Sequence, residues 1–328
     1  MNAAAVAGPD LGVVSVLVCT CNRPAEVRRA VDSLLAAAPS EGVGIVEIDL
    51  IVVDQSDNRD SEHALCDLIR AGHIRYVESK TRGKGAAMNE GLRLARSPYV
   101  VCTDDDCEAP PGWAADMAAL LVVRPRVAVA FCRVEAAPHD LTKGYVPQYL
   151  PDREHLLSSP MATGSHRGLG AGMVLRRDVV LSLGGIDESF GPGARFPSGD
   201  DWDLEVRVLL KGWEAFETEK LFIVHHGFRT FAEGRVHARR DWLALGAAAA
   251  KPVRAGHPGM IWVAAYVFAA DAVRPIARDV VALRAPGELQ RVLAFCRGFA
   301  QGLATPVDRS TLRYRRPRNR VARAAKRP

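Results

Sequence analysis

The chain of 328 residues is 48% hydrophobic and carries a formal net charge of +5. That balance suits one large folded domain with an appendage, or two ordinary domains, and excludes wholesale disorder. Eight of the 43 basic residues lie between Arg313 and Pro328 with no acid among them, leaving 35 basic against 38 acidic residues elsewhere, so the body shows no sign of a nucleic-acid surface and no nucleic-acid partner is expected.

Residues 13–19 form a valine-rich run that predicts a strand buried on both faces. Asn22 and Pro24 then supply a cap and a first-turn proline for a helix carrying Val27, Val31, Leu34 and Leu35. Residues 48–53 predict a second buried strand ending at Asp54, followed by a helix over 62–70 and a short strand over 74–77. Gly83-Lys84-Gly85 opens a helix to about residue 96, and a strand over 99–102 runs into Asp104-Asp105-Asp106. A helix starting at Pro111 and a strand over 127–134 follow. Residues 135–168 lack periodicity and predict a long loop near the site. A strand over 171–175, helices over 177–183 and 200–210, and two short strands over 214–217 and 221–225 come next. From Glu233 to about residue 303 the chain is alanine-rich and helical. The alternation predicts an α/β domain with a mostly parallel central sheet flanked by helices, plus a helical C-terminal extension. Ligands of such sheets bind beyond the carboxyl ends of the strands, where Thr20 to Arg23, Asp54 and Asp104 to Asp106 all fall.

The seven cysteines are odd in number and scattered, which does not read as a disulfide framework. The spacing of Cys19, Cys21, Cys102 and Cys107 fits no common zinc pattern. Residues 1–12 lack the basic start and apolar core of a secretory signal, and the apolar run over 260–270 is shorter than the roughly 20 residues a bilayer span needs. A cytoplasmic location is the expectation.

Asp104-Asp105-Asp106 is the sharpest chemical signal. Held together at a strand end, such carboxylates suit a hard divalent cation, which wants oxygen ligands, though alone they would equally form a solvated acidic turn. In context the chain resembles family 2 glycosyltransferases. The resemblance rests on Thr20-Cys21-Asn22-Arg23-Pro24, Asp54-Gln55-Ser56-Asp57-Asn58, the run from Gly83 to Leu92, the triple aspartate, Gly184-Gly185-Ile186-Asp187-Glu188, and Gly199-Asp200-Asp201-Trp202-Asp203. These six elements stand in the family's order between about residues 13 and 227. The resemblance implies the glycosyltransferase A fold and inverting transfer of a sugar from a nucleotide-diphosphate sugar, uridine diphosphate being the expected carrier. It implies Thr20, Asn22 and Arg23 around base and ribose, Asp54 accepting a hydrogen bond from the base, and Arg82, Lys84 and Asn89 near the donor. Asp104 would touch the ribose, with Asp105 beside it.

A divalent cation, Mn2+ or Mg2+, would be held by Asp106, with Asp104 and a histidine as further candidates. Neighbouring strand residues face opposite ways, so His225 and His226 do not both reach one metal, and the resemblance, which places a ligating histidine after a similar apolar run, favours His225. Asp201 is the candidate general base, with Asp200 beside it in the acidic pair. Aspartates at a helix start would also cap it and meet its dipole. The acceptor would be a glycan, a lipid-linked sugar or a small molecule. The apolar helix over 260–270 and the basic tail leave peripheral contact with the inner face of the membrane as an expectation.

The expected division is a flexible N-terminus over 1–12 and a catalytic domain over 13–232. That domain splits into a nucleotide-binding half over 13–134 and an acceptor half over 135–232. A helical region over 233–304 and a basic, disordered tail over 305–328 follow. The first turn lacks the Gly-x-Gly-x-x-Gly of a dinucleotide site, and Gly83-Lys84-Gly85 lacks the Walker spacing. The alternatives are a sugar-phosphate nucleotidyltransferase and a non-catalytic nucleotide-sugar or glycan-binding protein on the same fold.

Overall fold

The computed structural model of the chain describes residues 12–36, 47–281 and 289–315. In chain order its first half contains β1 (Val13–Thr20), α1 (Pro24–Leu35), β2 (Glu47–Asp54), α2 (Asp60–Ala64), α3 (Cys66–Arg70), β3 (Arg75–Glu78), α4 (Lys84–Leu94), β4 (Tyr99–Asp104), β5 (Cys107–Glu108) and α5 (Trp113–Val122). The next stretch of chain adds β6 (Val127–Ala136), β7 (Gly144–Tyr145), β8 (His155–Leu157), β9 (Met173–Arg176), α6 (Arg177–Ser182), α7 (Asp200–Leu210), β10 (Glu214–His225) and β11 (Arg229–Thr230). The remainder is α8 (Phe231–Ala255), α9 (Met260–Val267), α10 (Arg274–Val281), α11 (Leu289–Ala304), β12 (Val307–Asp308) and β13 (Arg313–Tyr314). A π-helical stretch, Phe268–Val273, joins α9 to α10.

The central sheet runs in the order β3-β2-β1-β4-β9-β6-β10-β5, with β8 also on β10. It is parallel from β3 to β4 and between β6 and β10, whereas β9 is antiparallel to both of its neighbours. The sheet is therefore mixed beyond its first four strands. The alternating residues Val14, Val16 and Val18 pack under α1 and α5, while Leu17, Ile51 and Val53 face α4, α6 and α7. Covering both faces explains why the strands read as continuous apolar runs.

Several elements differ from the expectation. The helix expected over 62–70 is two single turns, interrupted at Leu65. The two short strands expected over 214–225 are one strand with a register shift between Thr218 and Phe222. The long loop contributes the short strands β7 and β8. The disordered tail expected from residue 305 is displaced: β12 and β13 pair as a hairpin, and Tyr314 is buried. Residues 1–11 and 316–328 lie outside the described residues.

The C-terminal helices form a third apolar cluster with Phe190, Phe196 and Trp202. Gly246 and Gly298 let α8 and α11 touch through their backbones, since a Cβ there would sit 2.2 Å from the Phe295 carbonyl and 1.9 Å from that of Leu243. Beneath this contact lies a buried ionic network. Lys251 donates to Asp187 at 2.7 Å and pairs with Asp203, which also holds Arg207 at 3.0 Å. Arg207 in turn donates to the carbonyls of Leu183 and Gly185, and the Tyr314 amide donates to Asp187. The network ties α8 and the terminal hairpin to α7 and to the Gly184–Glu188 segment. Lys251→Ala should therefore destabilise the protein by about 3–5 kcal/mol, because it leaves two buried carboxylates facing a single remaining cation. Urea unfolding of the variant measures this, and an unchanged midpoint would contradict the network's structural role.

Candidate active site

Parallel register brings the ends of β1, β2, β3 and β4 to one edge, with Thr20 opposite Asp54, Asp54 opposite Glu78, and Cys19 opposite Asp104. The chain then turns through Asp105 and Asp106 into β5, which pairs antiparallel with β10 so that Cys107 faces His225. This reversal brings the triple aspartate to the end of β10. The resulting cleft has a volume of about 490 Å³, within the range of small-ligand sites. Its lining includes Thr20, Arg23, Gln55, Arg82, Lys84 and Asp104 to Asp106 from the first half of the chain, and Pro147, Leu169, Pro192, His225 and Arg229 from later segments.

Three cations organise its carboxylates. Arg23 donates to Asp105 and Asp106, each at 2.9 Å, and the Thr20 hydroxyl donates to Asp105 at 2.7 Å. Burial pushes the Asp105 carboxyl up to about 6, against the pull of Arg23. His225 Nε2 lies 3.3 Å from Asp106, while its Nδ1 is 2.9 Å from the Pro147 carbonyl. A proton on Nδ1 satisfies that carbonyl and leaves Nε2 as the nitrogen facing Asp106. Burial works against the imidazolium, but Asp106 raises His225 above its ordinary 6.5. Burial likewise opposes the Asp106 carboxylate, but His225 and Arg23 hold it below the usual carboxylate range. Gly227 keeps this pair open, because a Cβ there would lie 2.6 Å from His225 Nε2 and 3.0 Å from Asp106 Oδ2.

Lys84, at the start of α4, is ion-paired with Asp104. Burial alone would lower its ammonium, yet the charges of Asp104, Asp200 and Asp201 hold it protonated well above the usual lysine range. Asp200 and Asp201 open α7 behind Gly199, whose positive φ of 77° suits glycine. Asp201 accepts from the Trp202 amide at 2.7 Å and the Gly170 amide at 3.0 Å. Burial and the charge of Asp200 nevertheless push it up to about 6. Lys84 thus links the triple-aspartate turn to the acidic pair.

Other candidates sit elsewhere. Asp54 is buried, and its carboxylate accepts from Ser56 and from the Tyr76 hydroxyl, so its neighbour Gln55 lines the cleft in its stead. Gln55 Nε2 donates to Thr81 at 2.8 Å and to the Gly83 carbonyl at 3.2 Å, which directs the amide oxygen elsewhere. The Asn22 side chain accepts from the Asp57 amide, and Asn89 bonds Ile186 and Glu188, joining α4 to the Gly184–Glu188 segment. Neither asparagine lines the cleft. Arg82 pairs with Asp57 at the rim. His226 turns to Glu108 at 3.0 Å, away from Asp106. Asp104 faces Lys84 and does not join the group that could hold a metal, which is Asp106, Cys107 and His225.

Sequence reasoning missed Gln55, Arg229 and Leu169 as cleft residues, and Glu205 and Glu217 beneath it. Glu205 is fully buried one helical turn after Asp201, and both its carboxyl oxygens lack a hydrogen-bond partner. Burial and the nearby charge of Glu217 hold it protonated, well above the usual range. The only signal for it in sequence was an acid on the apolar face of a helix.

Two curated relatives, the pre-mycofactocin glycosyltransferases of two Mycobacterium tuberculosis strains, are each 25% identical over 266 residues, covering 76% of this chain and 49% of theirs. The chain spans about half the length of the curated relatives it matches. A mannosyltransferase from Pyrobaculum calidifontis, PcManGT, solved with GDP-Man and Mn2+, superposes with a TM-score of 0.57 at 18% identity, covering 91% of this chain and 88% of that one. The S. aureus TarS 1-349 structure gives 0.60 at 13% identity, covering 88% and 80%. These likenesses give the fold, the glycosyltransferase A type. Residues 15–183, just over half of the chain, match the family described as Glycosyl transferase family 2, and the chain belongs to it.

Proposed function

We propose that the chain moves a sugar from a nucleoside-diphosphate sugar onto an acceptor hydroxyl, inverting the anomeric centre. The observation that carries this reading is a cleft lined by the Asp104–Asp106 turn and by Lys84, whose ammonium is paired with Asp104 and also feels the charges of the adjacent Asp200–Asp201 pair, which lies just outside the lining. The expected acceptors are a glycan, a lipid-linked sugar or a small molecule, met at the cytoplasmic side.

Arg23, Lys84, Arg82 and Arg229 supply positive charge for a diphosphate. Thr20 and Gln55 lie where the nucleoside would enter. With its amide nitrogen occupied, Gln55 offers a carbonyl oxygen to a base N–H, a contact that uracil and guanine can both make. Uridine diphosphate is the proposed carrier, and guanosine diphosphate is the second to test.

Asp106 and His225 fit a divalent cation of the hardness of Mn2+ or Mg2+. They present a carboxylate oxygen and a tautomer-fixed ring nitrogen within 3.3 Å of each other. Cys107 does not fit, because burial holds its thiol protonated, well above the usual range. When bound, such an ion neutralises the charge that develops on the leaving diphosphate. Asp201 takes the proton of the acceptor hydroxyl as its oxygen attacks the anomeric carbon and the bond to the diphosphate breaks on the opposite face. Asp200 raises the basicity of Asp201 through its charge.

Asp201→Asn should lower transfer by about 10²–10⁴-fold while leaving the metal-dependent thermal shift with donor intact. Donor binding by the wild type with no turnover on any acceptor would instead mark a non-catalytic sugar-nucleotide binder. Because the base acts only when ionised, the wild-type rate should climb with pH, reach half its plateau near pH 6, and stay flat above. A rate that falls as pH rises through 6 would exclude Asp201 as base.

In metal-free protein the His225 imidazole should titrate above 6.5, and Asp106→Asn should lower that value, as followed by NMR. A folded-state value above the unfolded one means the pair stabilises fully below pH 6.5 and loses that contribution as pH rises through the higher value. Added Mn2+ should release the His225 proton, and an imidazole indifferent to Mn2+ would exclude it as a ligand.

A further inference from the structure

α9 is amphipathic in an unusual sense, because neither face carries a charge. Met260, Val263, Ala264 and Val267 are buried on the third apolar cluster. Ile261, Trp262, Ala265 and Tyr266 fall at i, i+1, i+4 and i+5, which puts them together on the opposite side. Their exposure is real: Trp262 is 71% exposed, Tyr266 54% and Ile261 41%. A lone exposed apolar residue needs no explanation, but a contiguous aromatic helix face marks an interaction surface.

The exposed charge of the surrounding helical region is mostly basic. Among the described side chains of residues 231–304, Arg235, Arg239, Arg240, Arg254, Arg274 and Arg297 are exposed, against the acid Glu233, while Asp271 is partly exposed and paired with Arg167. In the same helical layer a recess between α8 and α11 is lined by Arg235, Arg239 and Arg291 with Tyr145 and Phe231, and by no acid. An indole and a phenol over an apolar ridge, with arginines on the C-terminal helices, match the interface between headgroups and acyl chains, where basic groups are drawn to anionic lipid. Among the described residues no helix is long and apolar enough to cross a membrane, so any such contact lies on the surface.

A short chain of contacts leads from this face to Asp201. The Tyr266 ring packs on Gly164, where a Cβ would lie 2.9 Å from it. The neighbouring Thr163 carbonyl accepts from the Trp202 indole at 2.9 Å, and the Trp202 amide donates to Asp201.

We propose that the exposed face of α9, with the arginines of the C-terminal helices, seats the protein on an anionic lipid surface. The further consequence, that Asp201 is thereby turned toward acceptors carried in that surface, rests on the function proposed above, but the lipid contact itself does not.

The test is flotation of the full chain with phosphatidylcholine vesicles, either pure or containing about one third phosphatidylglycerol, with no donor present. The protein should float with the anionic vesicles and be released by high salt. Trp262→Glu should weaken vesicle affinity by about tenfold or more, and Arg254→Glu should weaken it further, while the melting temperature and transfer to a water-soluble acceptor stay at wild-type level. Equal binding to both vesicle types, or wild-type binding by Trp262→Glu, would overturn the proposal. So would concentration-dependent self-association that Trp262→Glu abolishes without any vesicle binding, because the face would then join copies of the chain. Vesicle binding is read without turnover, so failure of the transferase reading leaves this result interpretable.

Discussion

Asp104, Asp105 and Asp106 line one cleft, Asp200 and Asp201 lie close to its Lys84, and three cations make this concentration of carboxylates tolerable. Like charges at such spacing in a partly dry site repel strongly, so each needs a counter-charge or a proton. Arg23 takes Asp105 and Asp106, His225 takes Asp106, and Lys84 takes Asp104 while lying near the acidic pair of α7. The distribution is uneven. Asp106 is held as a carboxylate, whereas Asp105 and Asp201 are pushed up to about 6. One part of the cleft therefore favours fixed negative charge beside an imidazole, and another favours a carboxylate able to take a proton near neutrality.

The fold exists to keep these groups at fixed distances. The parallel strands deliver Thr20 and Asp104 to one edge, and the antiparallel return of β5 along β10 fixes Asp106 against His225. Asn89 clamps α4, and with it Lys84, to the backbone of Ile186. Behind α7, the Lys251, Asp187, Asp203 and Arg207 network anchors the helix that opens with Asp200 and Asp201. The C-terminal helices are thus bound through buried ion pairs to the element that carries the acidic pair, and the terminal hairpin closes the same network through Tyr314.

Much of this was legible in the sequence where local rules decide. The valine runs gave the strands, and the glycine and acids before Trp202 gave the bounds of α7. The triple aspartate announced itself as an unstable cluster needing a partner. What escaped depends on long-range neighbours. Asp54 and Gln55 are adjacent, and nothing local says that Tyr76, on the next strand, takes up the Asp54 carboxylate and leaves Gln55 to the cleft. Strand alternation separated His225 from His226, but only the Pro147 carbonyl, from the aperiodic segment, fixes which ring nitrogen is available. The basic composition of the C-terminus suggested disorder from residue 305, yet Leu312 and Tyr314 are apolar enough to bury, and Asp187 supplies the acceptor for a backbone amide there. The antiparallel β9 had no local mark, since a four-residue apolar strand reads alike in either direction.

The account depends on a cation held where the aspartate turn meets the end of β10. Crystals grown with Mn2+ and a nucleoside diphosphate, measured for anomalous scattering at the manganese edge, test this directly. A peak bridging the Asp106 carboxylate and His225 Nε2, beside the diphosphate, is the predicted result. A manganese peak at Glu108 and His226, or nucleotide bound in the cleft with no manganese at Asp106, would contradict it.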